Sequence, residues 1–147
     1  MPHATESPRP TPAVSCALLR EGRLPMVGRR NPPNAGRLAL PGGRVEAGEP
    51  LAAAAERELL EETGVQGRSL GPFTAIDVID RDEAGRLHFH YVLVVMEMAW
   101  SSGEPVAADD ATHACWMDLE ALRAAREEVC STALQVACRL LGAGNQR

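Results

Sequence analysis

Aromatic residues are scarce in this chain of 147 residues: Phe73, Phe89, Tyr91, Trp100 and Trp116 are all it has. Its core must rest on Leu, Val and Ala, and any ring beside a cavity becomes a candidate for stacking on a planar ligand. No apolar run reaches the roughly 20 residues that span a bilayer, although His90 to Trp100 is strongly apolar, so no membrane partner is expected. No C-x-x-C pair occurs. Cys16, Cys115, Cys130 and Cys138 are widely spaced, and His3, His88, His90 and His113 show no metal-ligand spacing with them. Buried, reduced thiols are expected rather than disulfides or a zinc site. Clustered basic residues are missing too, and the formal net charge is -5. A nucleic-acid polymer is therefore not an expected partner, since binding its backbone takes grouped positive charge. A small anionic ligand stays open, because local charges decide that case. The start, MPHATESPRPTP, has no apolar signal core and is rich in Pro, Ser and Thr. Residues 1–12 read as a disordered tail, and cytoplasm is the expected compartment.

What is present is ordinary globular material, 45% apolar and 24% charged, of a length that suits one domain over residues 13–147. Ala13 to Leu19 reads as a strand, Glu21-Gly22 as a turn, and Leu24 to Val27 as a returning strand that Pro25 confines to an edge or a bulge. Pro50 to Glu62 is the clearest helix, with Pro50 in its first turn, an alanine run behind it, and Gly64 as a left-handed cap. Phe73 to Ile79 and His88 to Met98 are strand-like around the polar turn Asp80 to Arg86. The second is apolar on both alternating faces near Val92 to Val95, the pattern of a central strand covered from both sides. After a loop from Ser101 to Ala111, His113 to Met117 reads as a short strand. Helical sequence from Asp118 to about Leu141 follows, broken near Arg126 to Val129. This strand-rich order with helices interspersed predicts an α/β fold of the α+β kind, a mixed β-sheet sandwiched between helices.

The chemistry is concentrated in residues 42–65, GGRVEAGEPLAAAAERELLEETGV. Glu58 and Glu62 are four apart and share one helix face, with Glu61 just to the side and Glu49 at the helix start. Stacked like charges destabilise an isolated helix, and Arg57 alone cannot neutralise the group. Oxygen donors at this density suit Mg²⁺ or Mn²⁺. A solvated, charged helix face is the ordinary reading of such a run. The Gly42-Gly43 turn ahead of the helix shifts the balance, because glycines let backbone groups approach a ligand closely.

These residues resemble the Nudix signature: Gly, five residues, Glu, seven residues, Arg-Glu, an aliphatic, any, Glu-Glu, any, Gly, an aliphatic. Gly43, Glu49, Arg57, Glu58, Leu59, Glu61, Glu62, Gly64 and Val65 supply it without departure. Its seven fixed identities arise by chance on the order of once in a billion starting positions at average residue frequencies. A weaker resemblance in strand and loop order extends from Ala13 to about Arg126. The resemblance implies a Nudix-type α/β/α sandwich and a Mg²⁺-dependent pyrophosphohydrolase, with Mn²⁺ as a substitute. It implies that Glu58 and Glu62 are the principal metal ligands, that Glu61 assists, and that the Gly42 carbonyl completes the coordination. Arg57 would orient the carboxylates and Glu49 would hold the loop to the helix.

For the catalytic base, relatives of the MutT type place a loop acid just before a strand carrying a Trp. Asp109-Asp110 precede Trp116 in such a place, and Asp110 is favoured over Glu97 and Glu104. Of the arginines flanking the signature (Arg29, Arg30, Arg37 and Arg44), Arg29 or Arg44 is the choice for clamping the outer phosphates. His90 or Tyr91 offers a ribose or base contact, beside a structural role for that strand. The subgroup marks looked for outside the signature are absent: no proline near Asp80, no Ser-Gln-Pro-Trp segment, no upstream coenzyme A motif. The runs HFHYVLVV and CWMDLEAL are similar to ADP-ribose pyrophosphatase-like and MutT-like sequences. The resemblance thus implies a small nucleotide substrate. ADP-ribose or a related nucleoside diphosphate sugar comes first, oxidised nucleoside triphosphates second, and a non-catalytic nucleotide sensor third. It also makes a homodimer one assembly to test.

Overall fold

The computed structural model describes residues 8–31, 35–108 and 111–142. In chain order it contains β1 (Thr11–Leu19), β2 (Arg23–Arg29), β3 (Leu38–Ala39), β4 (Gly42–Arg44), α1 (Leu51–Thr63), β5 (Gln66–Arg81), β6 (Leu87–Ser102), β7 (Ala111–Asp118), α2 (Leu119–Ala124) and α3 (Ser131–Gly142). One sheet has the order β4-β1-β6-β5, with β1 and β6 parallel and the other pairs antiparallel. A second, antiparallel sheet has the order β3-β2-β7. The alternation along β1 explains how the layers form. Val14, Cys16 and Leu18 pack with Ala54, Ala55 and Leu59 of α1. Ala17, of the opposite parity, packs with Leu24, Leu122 and Val136 on the α2–α3 side. A strand buried on both faces reads as a near-continuous apolar run, as Ala13 to Leu19 does. The expected sandwich with a mixed sheet is present.

Several boundaries differ from the sequence reading. Thr11 and Pro12 belong to β1, pairing with Tyr91 and Val92, so the strand starts two residues inside the segment expected to be a tail; residues 1–7 lie outside the described residues. Pro50 stands one place before the helix as its N-cap, and its carbonyl accepts from the Ala54 N–H at 3.0 Å. β5 begins at Gln66 rather than Phe73, because β6 pairs with it along nearly its whole length, with register shifts that pass Gly71. Ladder bonding overrides the weak strand propensity of Arg68 to Pro72 there. Pro25 lies inside β2, but β3 pairs with that strand only at Val27 and Gly28, so the missing N–H breaks no ladder bond with β3. β6 is central, yet Val92 is 39% exposed, because the cover of α1 ends near Val94. The break in the C-terminal helical sequence falls where expected, between α2 and α3. There the Leu38 N–H donates to the Glu128 carbonyl at 2.7 Å and the Cys130 N–H to the Leu38 carbonyl at 2.9 Å.

Candidate active site

Gly42–Arg44 pairs with β1 through Ser15, Val14 and Ala13, which brings the glycine turn beside the second half of α1. Neither glycine has room for a side chain. A Cβ on Gly43 would lie 2.5 Å from Glu58 Cδ and 2.7 Å from Oε2. On Gly42 it would lie 3.0 Å from Ser15 Cα and closer still to the Val14 carbonyl oxygen. The Gly42 N–H donates to Glu62 Oε2 at 3.1 Å, so turn and helix are tied directly. At the helix end, Gly64 takes a left-handed φ of 76°, and its N–H donates to the Leu60 carbonyl. The buried Thr63 hydroxyl donates to the Leu59 carbonyl at 2.6 Å and accepts from the Val65 N–H at 3.1 Å.

Arg57 is the hub of the acidic group. Its Nε and Nη2 donate to the two oxygens of Glu49 at 2.7 and 2.9 Å. Its Nη1 donates to Glu58 Oε1 at 2.9 Å and Glu61 Oε2 at 3.2 Å, and Nη2 also reaches the Arg44 carbonyl at 3.1 Å. Hydrogen bonds from Arg57, and then from the Glu46 N–H, hold the Glu49 carboxyl down at about 2. The hydrogen bonds to Glu49, and after them those to Glu58, push the Arg57 guanidinium further up. Behind the helix, the buried Cys16 thiol donates to the Ala55 carbonyl at 3.1 Å. Burial raises its pKa most, followed by the negative charges of Glu62 and Glu58.

Glu58, Glu61, Glu62, Gly42, Gly43 and Arg44 border a cavity of about 610 Å³, a size suited to a nucleotide-scale ligand. Arg29, Arg30 and Asn31 line another part of it. Val78 pairs with Tyr91, and Asp80 with Phe89, so these four share the sheet face that lines the cavity. The Phe89 and Tyr91 rings lie 5.5 Å apart at 44°. Ser131 and Thr132, at the start of α3, line it as well. The carboxylates beside Gly43 offer oxygen donors, and the missing Cβ lets the Glu58 carboxylate lie close against the turn. That fits a hard divalent cation. Among the described residues no three acidic, histidine or cysteine side chains converge on one point as they stand. Glu58 and Glu61 accept from Arg57, and Glu62 from Gly42.

The residues singled out in the sequence fall into groups. Arg57, Glu58, Glu61, Glu62 and Gly42 come together, with Gly42 engaging Glu62 through its N–H. Arg29, Arg44 and Tyr91 reach the same cavity from other sides, whereas Arg37, Glu97 and His90 are not among its lining. Asp109 and Asp110, the candidate base among them, lie outside the described residues. Glu104 is tied to Arg20 and Trp116. Phe89 was legible as a cavity residue, since it shares the parity of Tyr91. No local signal pointed to Ser131 and Thr132, which depend on the pairing of Leu38 with the segment before α3.

The family described as NUDIX domain matches residues 9–136. The chain belongs to the Nudix family. An ADP-ribose pyrophosphatase from Methanocaldococcus jannaschii is 34% identical over 113 residues, 77% of this chain and 64% of that relative. The chain thus spans a little under two thirds of its length. A MutT Nudix hydrolase structure from Burkholderia pseudomallei is 30% identical, with a TM-score of 0.69, and the match covers 83% of this chain and 99% of that one. A third similar structure is a bifunctional NMN adenylyltransferase/ADP ribose pyrophosphatase from Francisella tularensis, complexed with AMP and a Mn ion. It is 26% identical, with a TM-score of 0.70, over 95% of this chain and 43% of that one. In this Nudix chain the whole signature runs from Gly43, within β4, to Val65, two residues after α1. Among the described residues no helix is long and apolar enough to cross a membrane.

Proposed function

We propose that this Nudix chain is a Mg²⁺-dependent pyrophosphohydrolase that cleaves the diphosphate linkage of ADP-ribose or a related nucleoside diphosphate derivative. The observation that carries the reading is the Arg57 hub, which gathers Glu49, Glu58 and Glu61 beside Gly42 and Gly43 at the cavity edge. Glu58 and Glu62 are the principal metal ligands, Glu61 assists, and the Gly42 carbonyl is available; Mn²⁺ substitutes. A divalent cation bound there would supply Lewis acidity towards the diphosphate. Arg57 keeps the carboxylates oriented, with a fork that a lysine cannot reproduce. Arg29 and Arg44, both on the cavity lining, hold the outer phosphate oxygens. The Phe89–Tyr91 wall offers a flat apolar surface to the base or the ribose. Asp110 is the base to be tested.

ADP-ribose is favoured because relatives at 34% and 26% identity carry that activity in their names. The 30% identity to a MutT hydrolase supports nucleoside triphosphates as the second reading. A panel of nucleoside diphosphate sugars and triphosphates, with Mg²⁺ and with Mn²⁺ and with products identified by mass, tests both. AMP and ribose phosphate from ADP-ribose are the expected products. Turnover of triphosphates alone overturns the substrate. Glu62→Gln is expected to abolish nearly all hydrolysis while the protein stays folded. A wild-type chain that binds a nucleotide tightly and cleaves none is instead a sensor.

A further inference from the structure

Both tryptophans of the chain meet one arginine where β1 and β6 end. The Arg20 guanidinium carbon lies 3.4 Å from the centre of the Trp100 ring and 5.7 Å from that of Trp116. Glu104 bridges the group: Oε1 accepts from Arg20 Nη1 at 2.8 Å, and Oε2 from Trp116 Nε1 at 2.7 Å. Trp100 Nε1 donates to the Gly103 carbonyl at 2.9 Å. Cations stacked on indole and hydrogen-bonded to carboxylate are well held even at a partly exposed site.

From this cluster, residues 103–108 run onto the C-terminal end of α1. The Val106 N–H donates to the Thr63 carbonyl at 2.8 Å, and the Ala108 N–H to the Glu62 carbonyl at 3.1 Å. These carbonyls are among the last of the helix and have no partner within it, so the segment supplies what the helix lacks. Gly103 presses on the same end: a Cβ there would come 2.8 Å from the Gly64 carbonyl oxygen. Glu62 is therefore fixed at two points. Its backbone is held by the segment, and its carboxylate by the Gly42 N–H.

We propose that Arg20 and Glu104 are positioning residues: their ion pair, packed on the two tryptophans, holds residues 103–108 against α1 and thereby sets the affinity of its carboxylates for a divalent cation. This rests on the reading of Glu62 as a metal ligand. It also removes Glu104 from the candidates for the base, since both of its oxygens are engaged away from the cavity.

The test is Mn²⁺ binding without nucleotide, followed by the loss of the free-ion paramagnetic resonance signal. Arg20→Met keeps an apolar stem against Trp100 and removes the ion pair; Glu104→Gln keeps an acceptor for Trp116 and removes the charge. Both are expected to weaken Mn²⁺ binding about three- to tenfold, at or below the low end of what outer residues contribute to metal affinity. Turnover at saturating Mn²⁺ falls by less. Arg20→Lys restores most of the affinity. Tryptophan emission reports opening of the cluster directly, because both indoles belong to it. Unchanged affinity in folded variants with shifted emission overturns the proposal. So does a collapse of turnover at saturating metal with loss of one limb of the pH profile, which makes Glu104 a base. Glu62→Gln, measured alongside, separates the two levels. If it binds Mn²⁺ like wild type, the metal reading fails and takes this inference with it; if it alone binds weakly, only the positioning role fails.

Discussion

Replacing Gly43 by Ala separates the chemistry of the site from the stability of the fold. The atoms nearest the new methyl are the carboxyl end of Glu58, 2.5 Å from Cδ and 2.7 Å from Oε2, the far end of a flexible side chain that can swing aside. Gly43 is not among the residues with positive φ, so alanine suffers no backbone strain there. Loss of unfolded-chain freedom stabilises by about 0.4–1 kcal/mol. Forcing Glu58 off its rotamer costs about 0.5–1.5 kcal/mol. The two nearly cancel, so the melting temperature moves by no more than about 4 °C for a chain of this size. The displaced carboxylate is another matter. A misplacement of about 1 Å in a catalytic constellation costs on the order of a hundredfold in rate. Gly42→Ala is the control, because its methyl runs into the backbone of Val14 and Ser15, which cannot swing. Overpacking of that kind costs about 3 kcal/mol, or ~6–12 °C in melting temperature. Calorimetry without metal and product release at saturating Mg²⁺ measure the two effects separately. Gly43→Ala with turnover within about threefold of wild type, against the hundredfold expected, or a melting loss as large as that of Gly42→Ala, refutes the reasoning.

Two further outcomes follow from the Arg57 hub. Glu49 is held at about 2 against an ordinary 4.5, so its folded pKa is depressed. Its contribution to stability is whole above 4.5 and drains away as pH falls from 4.5 towards 2. Urea midpoints across that window should fall more steeply in wild type than in Glu49→Gln, and parallel curves would show that the pairing is not felt in folding. Arg57→Lys keeps the charge but cannot serve both oxygens of Glu49, Glu58, Glu61 and the Arg44 carbonyl together. Turnover should drop by ~10–100-fold, and an unchanged rate in a steady-state assay would dismiss the hub as decoration.

The parts of the fold that were legible in the sequence are those governed by local rules. The α1 helix could be read from its alanines and Gly64, and β1 from its near-continuous apolar run. Glu58 and Glu62 share a face by helical period alone. What escaped depends on distant partners. The first seven residues of β5 are strand because β6 lies alongside them. The α3 side of the cavity is set by Leu38 bonding to residues some ninety positions later. Tyr91 and Phe89 were within reach, because strand parity needs no partner to be counted.

That pairing of Leu38 also bears on the order in which the protein becomes competent. Gly42, Gly43 and α1, with every carboxylate of the signature, are made in the first half of the chain. The sheet they rest on closes only when β6 pairs with β1, and Ser131 and Thr132 join the cavity wall later still. Contacts of such long sequence separation form slowly. A nascent chain therefore carries its full acidic cluster well before it has an enclosed pocket in which to use it.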